Sequence, residues 1–198
     1  MFAPRQGIPR LASPRATAAQ AGSSAARAGS EADMVLGIDP GLTRCGYAVV
    51  RTAATPELVS LGVLTSSAND ELPQRLAQLH ADLERIFDEF SPSAVAVERV
   101  FFQHNTRTAM SVGQASGIVL AMAAARGCRV VQYTPSQVKN AVAGHGSADK
   151  LAMQRMVQLR FGLRALPTPA DAADAAALAL CHLATEPFAR SVAGATAR

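Results

Sequence analysis

At 198 residues the chain has room for one sizeable core and is tight for two. Hydrophobic residues make up 49% of it, enough to fold, yet no uncharged apolar run approaches the roughly 20 residues that a membrane-spanning helix needs. The formal charge of +4 divides into +2 on residues 1–33, +1 on residues 185–198 and +1 on everything between, so net charge alone argues weakly for a nucleic-acid partner.

Residues 1–33 are Ala, Ser, Gly, Arg and Pro with almost no large apolar side chains. Such a stretch cannot bury enough surface to offset the entropy of ordering it. It reads as a disordered extension, or as a mis-assigned start with Met34 the true first residue. An organelle transit peptide ranks lower, because no apolar face recurs at helical spacing.

From Met34 the pattern changes. Val35 to Asp39 is a short apolar run ending in an acid before Pro40-Gly41, which predicts a buried strand and a turn. Tyr47–Val50 and Leu58–Leu61 predict two further strands in antiparallel pairing. A helix is predicted over about 71–90, with Leu72, Leu76, Leu79, Leu83, Ile86 and Phe90 forming one apolar stripe. Ala94 to Glu98 is a fourth strand, again closing on an acid. A small-residue helix spans about 106–126, and its Gly and Ala content suits close packing, including against a second copy of the chain. Arg129–Tyr133 is the fifth strand. Thr134-Pro135 predicts a helix start, Gly144-His145-Gly146 a break, and Ser147 the cap of the next helix, ending near Phe161. Leu166-Pro167-Thr168-Pro169 forms a rigid connection to a last helix over about 170–184, followed by a flexible tail over 185–198. Helical crossovers make strands one, four and five parallel. The expected fold is therefore α/β, a five-stranded mixed sheet flanked by helices. Cys45, Cys128 and Cys181 are odd in number, far apart and without metal-ligand spacing, which predicts reduced thiols in a cytoplasmic protein.

The chemistry rests on four acids. If strands one and four are neighbours, about 4.8 Å apart, Asp39 and Glu98 stand side by side at the carboxyl edge, where open α/β sheets bind ligands. Asp171 and Asp174, three residues apart, share one face of the last helix. Each acid alone has an ordinary reading, Asp39 as a turn residue and Asp171 or Asp174 as a helix-start acid. Together they form an oxygen-rich cluster suited to Mg²⁺. A pair of such ions can activate water and stabilise the leaving oxygen in phosphodiester cleavage.

Four blocks in order, Gly37-Ile38-Asp39-Pro40-Gly41 through Gly46-Tyr47, Ala96 to Phe101, Gln137-Val138-Lys139 with Gly144 to Lys150, and Ala170 to Ala175, resemble the RuvC family of Holliday-junction resolvases. The resemblance covers 34 to about 183. It implies a ribonuclease H-like fold and a cytoplasmic homodimer that nicks a four-way DNA junction in recombination and repair, leaving 5′-phosphate and 3′-hydroxyl ends. It implies two Mg²⁺ per subunit, replaceable by Mn²⁺, on Asp39, Glu98, Asp171 and Asp174, and a branch-migration complex of RuvA and RuvB as partner. Phe101 matches the family's base-stacking aromatic. Lys139 and Lys150, the chain's only lysines, are expected at phosphates with Ser147, Arg44 and Arg107. Rival readings are another ribonuclease H-like nuclease, an inactive junction-binding protein, and an ATPase of the actin and sugar-kinase type, for which the chain lacks a second domain.

Overall fold

The computed structural model describes residues 33–100 and 106–196, with 106–108 and 186–196 described by their backbone alone. The N-terminal segment expected to be disordered or mis-assigned lies outside the described residues. Strands β1 (Met34–Asp39), β2 (Arg44–Arg51) and β3 (Glu57–Thr65) form an antiparallel meander, followed by α1 (Leu72–Phe90), β4 (Ala94–Glu98), α2 (Thr106–Ala125), β5 (Arg129–Tyr133), α3 (Pro135–Ala143), α4 (Lys150–Phe161) and α5 (Ala170–Thr196). The sheet order is β3-β2-β1-β4-β5, with β4 parallel to β1 and β5 parallel to β4. This is the mixed sheet that the sequence predicts.

Alternation along each strand sorts the side chains onto two faces. Leu36, Ile38, Val49, Val95 and Val97 are buried beneath α1 and α2. The opposite face carries Gly37, Gly46, Ala48 and Ala96, and it packs against α5, with α3 and α4 outside. The small residues have a direct consequence. A Cβ placed on Gly37 would collide with the Ala175 carbonyl, and one on Gly46 with the Asp171 carbonyl. The backbone of α5 therefore rests directly on β1 and β2, an approach only glycine permits.

Local signals account for most element ends. Thr134 caps α3 with a complete capping box: its hydroxyl accepts from the Gln137 N–H, and the Gln137 side chain accepts from the Thr134 N–H. The cap of α4 is Asp149 rather than the expected Ser147. A cap must stand immediately before the first helical residue, so that its oxygen reaches an N–H one turn in. Asp149 does so, accepting from the Ala152 N–H at 2.7 Å, whereas the Ser147 hydroxyl pairs with His145 Nδ1 at 3.1 Å. The stripe on α1 also shifts: Leu72, at the helix's first position, is exposed, and Phe87 is buried beside Leu79, Leu83 and Ile86. Helix α5 continues past the expected end at Ala184 to Thr196, so the segment read as a tail is helical to that point.

Gly37→Ala and Gly46→Ala should each destabilise the protein by about 1–3 kcal/mol, the usual cost of overpacking. Chemical denaturation would measure it. Wild-type stability in both variants would mean that α5 does not seat on bare backbone.

Candidate active site

β1 and β4 are in parallel register with Ile38 opposite Val97, so the next residues, Asp39 and Glu98, end adjacent strands. Both point to the α5 face. Asp174 projects from α5 to meet them. These three carboxylates line one open pocket of about 350 Å³, together with Lys139, Lys150, Pro135, Val138, Met153, Ala177 and Leu178. The two lysines expected at DNA phosphates thus share the pocket with three of the four expected acids.

The fourth acid is placed differently. Asp171 does not line the pocket. Its carboxylate accepts from Arg44 Nε at 2.8 Å and lies 2.7 Å from Arg44 Nη2, both on Oδ2. The reason is the path of α5. Its backbone crosses from Gly46 on β2, at Asp171, to Gly37 on β1, at Ala175. One helical turn rises about 5.4 Å, close to one strand spacing. Asp171 therefore stands over β2 beside Arg44, and Asp174 stands nearer β1 and β4.

The pocket is electrostatically uncomfortable. Burial pushes the Asp39 carboxyl up from 3.8 to about 7, reinforced by the charges of Glu98, Asp174 and Asp171 and opposed by Lys150. Glu98 is raised by burial and then by Asp174, again opposed by Lys150. Asp174 is raised by burial, with Lys150 acting against that and Asp171 adding to it. Three hard oxygen donors, half-buried and mutually repelling, fit a divalent cation such as Mg²⁺. Among the described residues, no three His, Cys, Asp or Glu side chains are gathered into a ready-made metal cage.

Around the site, other groups fix the backbone. Arg75 of α1 donates to the Ser66 hydroxyl at 3.0 Å and to the Thr43 hydroxyl at 2.7 Å, and Ser66 donates to the Leu42 carbonyl at 2.6 Å. This clamps the turn that follows Asp39. Local pattern could not reveal it, because Arg75 reads as one more charge on a solvated helix face. Behind Glu98, the Tyr133 hydroxyl meets His182 Nδ1 at 2.9 Å and Thr185 Oγ1 at 3.0 Å, tying β5 to α5. His182 is buried. Ser147 is exposed in the loop before α4. Phe101 lies outside the described residues, as does the side chain of Arg107 in the first turn of α2. Cys45, Cys128 and Cys181 are free thiols. Among the described residues no helix is long and apolar enough to cross a membrane.

Asp39 holds its proton more tightly in the folded chain, at about 7, than unfolded, at 3.8. Its contribution to stability is therefore present below pH about 4 and lost as pH rises through about 7. In EDTA the Tm should fall between pH about 4 and about 7. Mg²⁺ should restore it at the alkaline end, and Asp39→Asn should flatten the slope. Thermal scans across pH check this, and an undiminished slope in Asp39→Asn would count against it.

The model of the family described as crossover junction endodeoxyribonuclease RuvC matches residues 35–182. The crossover junction endodeoxyribonuclease RuvC of Renibacterium salmoninarum is 53% identical over 150 residues, spanning 75% of this chain and 78% of that protein. The same-named protein of Roseiflexus sp. is 46% identical over 162 residues, spanning 81% of this chain and 96% of its own length. Among solved structures, Thermus thermophilus RuvC in complex with Holliday junction substrate superposes with a TM-score of 0.75 at 38% identity, covering 79% of this chain and 96% of that one. The yeast mitochondrial Holliday junction resolvase Ydc2, 15% identical with a TM-score of 0.61 over 81% of each chain, shares the fold.

Proposed function

The chain belongs to the RuvC family of crossover junction endodeoxyribonucleases, and from that premise we propose that it resolves four-way DNA junctions with Asp39, Glu98 and Asp174 as its central metal-binding acids and Asp171 as an auxiliary one. The observation that carries this assignment is the convergence of those three carboxylates and both lysines on one pocket at the carboxyl edge of the sheet. The family is one of metal-dependent nucleases, and the donor set favours two Mg²⁺ per subunit, with Mn²⁺ as a substitute. When bound, the ions supply an activated water and stabilise the leaving oxygen of the scissile phosphodiester.

The protein's own part is positioning. Asp39, Glu98 and Asp174 present ionised oxygens toward the scissile phosphate from two strands and a helix whose backbones are fixed by packing. Lys139 and Lys150 supply positive charge in the same pocket, suited to the phosphates that flank the cut. The product ends are 5′-phosphate and 3′-hydroxyl. Phe101, just past β4, is assigned by family resemblance to stack on an unpaired base at the junction centre. Arg107 and Ser147 are assigned to the neighbouring backbone.

Paired nicks on opposed strands need two subunits related by a twofold axis. Helix α2 supports such an interface. Met110 is 66% exposed, and Gly113 and Gly117 meet nothing within 4 Å of where a side chain would begin, leaving a smooth surface for a second copy. Free thiols support work in the cytoplasm, on DNA undergoing recombination and repair and alongside a RuvA–RuvB branch-migration complex.

On a synthetic immobile four-way junction with linear duplex as competitor, wild type should make paired nicks in Mg²⁺ and none in EDTA. Glu98→Gln should bind the junction normally and nick it at least about 100-fold more slowly, the order expected when a preorganised charge is lost from a transition state. Full nicking by Glu98→Gln would remove that residue from the chemistry. Junction binding without nicking in wild type would instead mark a binding protein.

A further inference from the structure

Resting on the reading above, we propose that Arg44 is a positioning residue that withholds Asp171 from the metal pocket in the DNA-free protein and releases it when a DNA phosphate takes the guanidinium. Two of the guanidinium's nitrogens are spent on a single oxygen, Oδ2 of Asp171. Asp171 is the one acid of the four that does not line the pocket. It is nevertheless close enough for its charge to be felt at Asp39 and Asp174.

The backbone decides how Asp171 can move. Its carbonyl sits against the bare Cα of Gly46, two residues beyond Arg44 on the same strand. The main chain at Asp171 is therefore anchored, and only its side chain can pivot, between Arg44 on one side and the pocket on the other. The pair is also easily parted. The side chains are 47% and 33% exposed, and ion pairs so open to water are weak and screened by salt. A phosphate carries formal charge and several acceptor oxygens, and arginine matches it in geometry. Binding of the junction would then take Arg44 and free the fourth carboxylate for metal at one moment. In the absence of DNA the pocket would bind its ions less tightly, which limits nicking without substrate.

The test is a double-mutant cycle in the full chain with Arg44→Gln, Asp171→Asn and the double variant, read in two ways that need no turnover. The first is Mn²⁺ binding without DNA, by titration calorimetry. Arg44→Gln should tighten it about three- to fivefold, the range open to a surface ion pair. Asp171→Asn should leave it within about twofold, and the gain from Arg44→Gln should vanish in the Asp171→Asn background. A gain that persists in the double variant would mean that Arg44 acts only by its charge, and would overturn the proposal. So would a loss of Mn²⁺ affinity in Asp171→Asn alone, since Asp171 would then already be a ligand.

The second reading is binding of a four-way junction in EDTA. Arg44→Gln should weaken it and lower the salt slope by about one. Asp171→Asn should tighten it more when Arg44 is present than when Gln replaces it. Equal tightening in both backgrounds would show no handover. A wild type that fails to prefer junction to duplex would defeat the junction-resolving function while leaving the Mn²⁺ cycle to judge Arg44.

Discussion

The direct seating of α5 on the glycine face of β1 and β2 is the contact on which the rest of the site depends. Asp39 and Glu98 become neighbours because the crossover through α1 makes their strands parallel and the pairing sets Ile38 opposite Val97. The third carboxylate comes from far along the chain. It reaches them because Gly37 and Gly46 present no Cβ to the backbone of α5, while Ala48 and Ala96 keep the surrounding face shallow. A sheet of valines on this face would hold the helix away by the depth of a side chain. The pocket would then be a cleft between one pair of acids and a distant third.

That closeness has an electrostatic cost. Carboxylates are gathered where water is partly excluded and each raises its neighbours' proton affinity. Lys150 is the one positive charge that opposes all three shifts, and it cannot neutralise three acids. The fold holds the cluster because large apolar side chains are buried on both sides of the sheet, each worth about 1.5–3 kcal/mol against exposure. Strain of this kind, maintained by the surrounding packing, is characteristic of sites built for a ligand that relieves it. A divalent cation would supply the missing charge, which would make metal binding and folding stability two readings of one repulsion.

The sheet and its acids are legible in the sequence because both follow from short-range rules. A period of two fixes which residues share a face, an acid closing an apolar run marks a strand end, and crossover length fixes strand direction. Caps are legible to within a few residues: Thr134-Pro135 is unambiguous, whereas Ser147 and Asp149 compete within one loop and only the true helix start decides between them. The different placement of Asp171 and Asp174 is not legible. Both lie on one helix face by spacing, and Arg44 is 127 positions away from Asp171 in the chain. Nothing local says that α5 crosses from β2 to β1 within a turn. The clamp from Arg75 to Ser66 and Thr43 is hidden for the same reason, because its parts meet only after the meander folds back on α1.

The glycines show how one residue type carries both fold and site. In a strand, glycine is a weak choice by propensity, costing order without adding packing. At Gly37 and Gly46 that local weakness is the condition for the long-range contact. The helix they admit brings Asp174 to the strand-end acids and leaves Asp171 over β2 beside Arg44. Moving α5 by one residue along its axis would turn every α5 side chain by about 100°. Asp174 would leave the pocket and a neighbouring alanine would take its place. The seating on bare backbone therefore sets the helix register as well as its distance, and the identity of the third acid follows from that register.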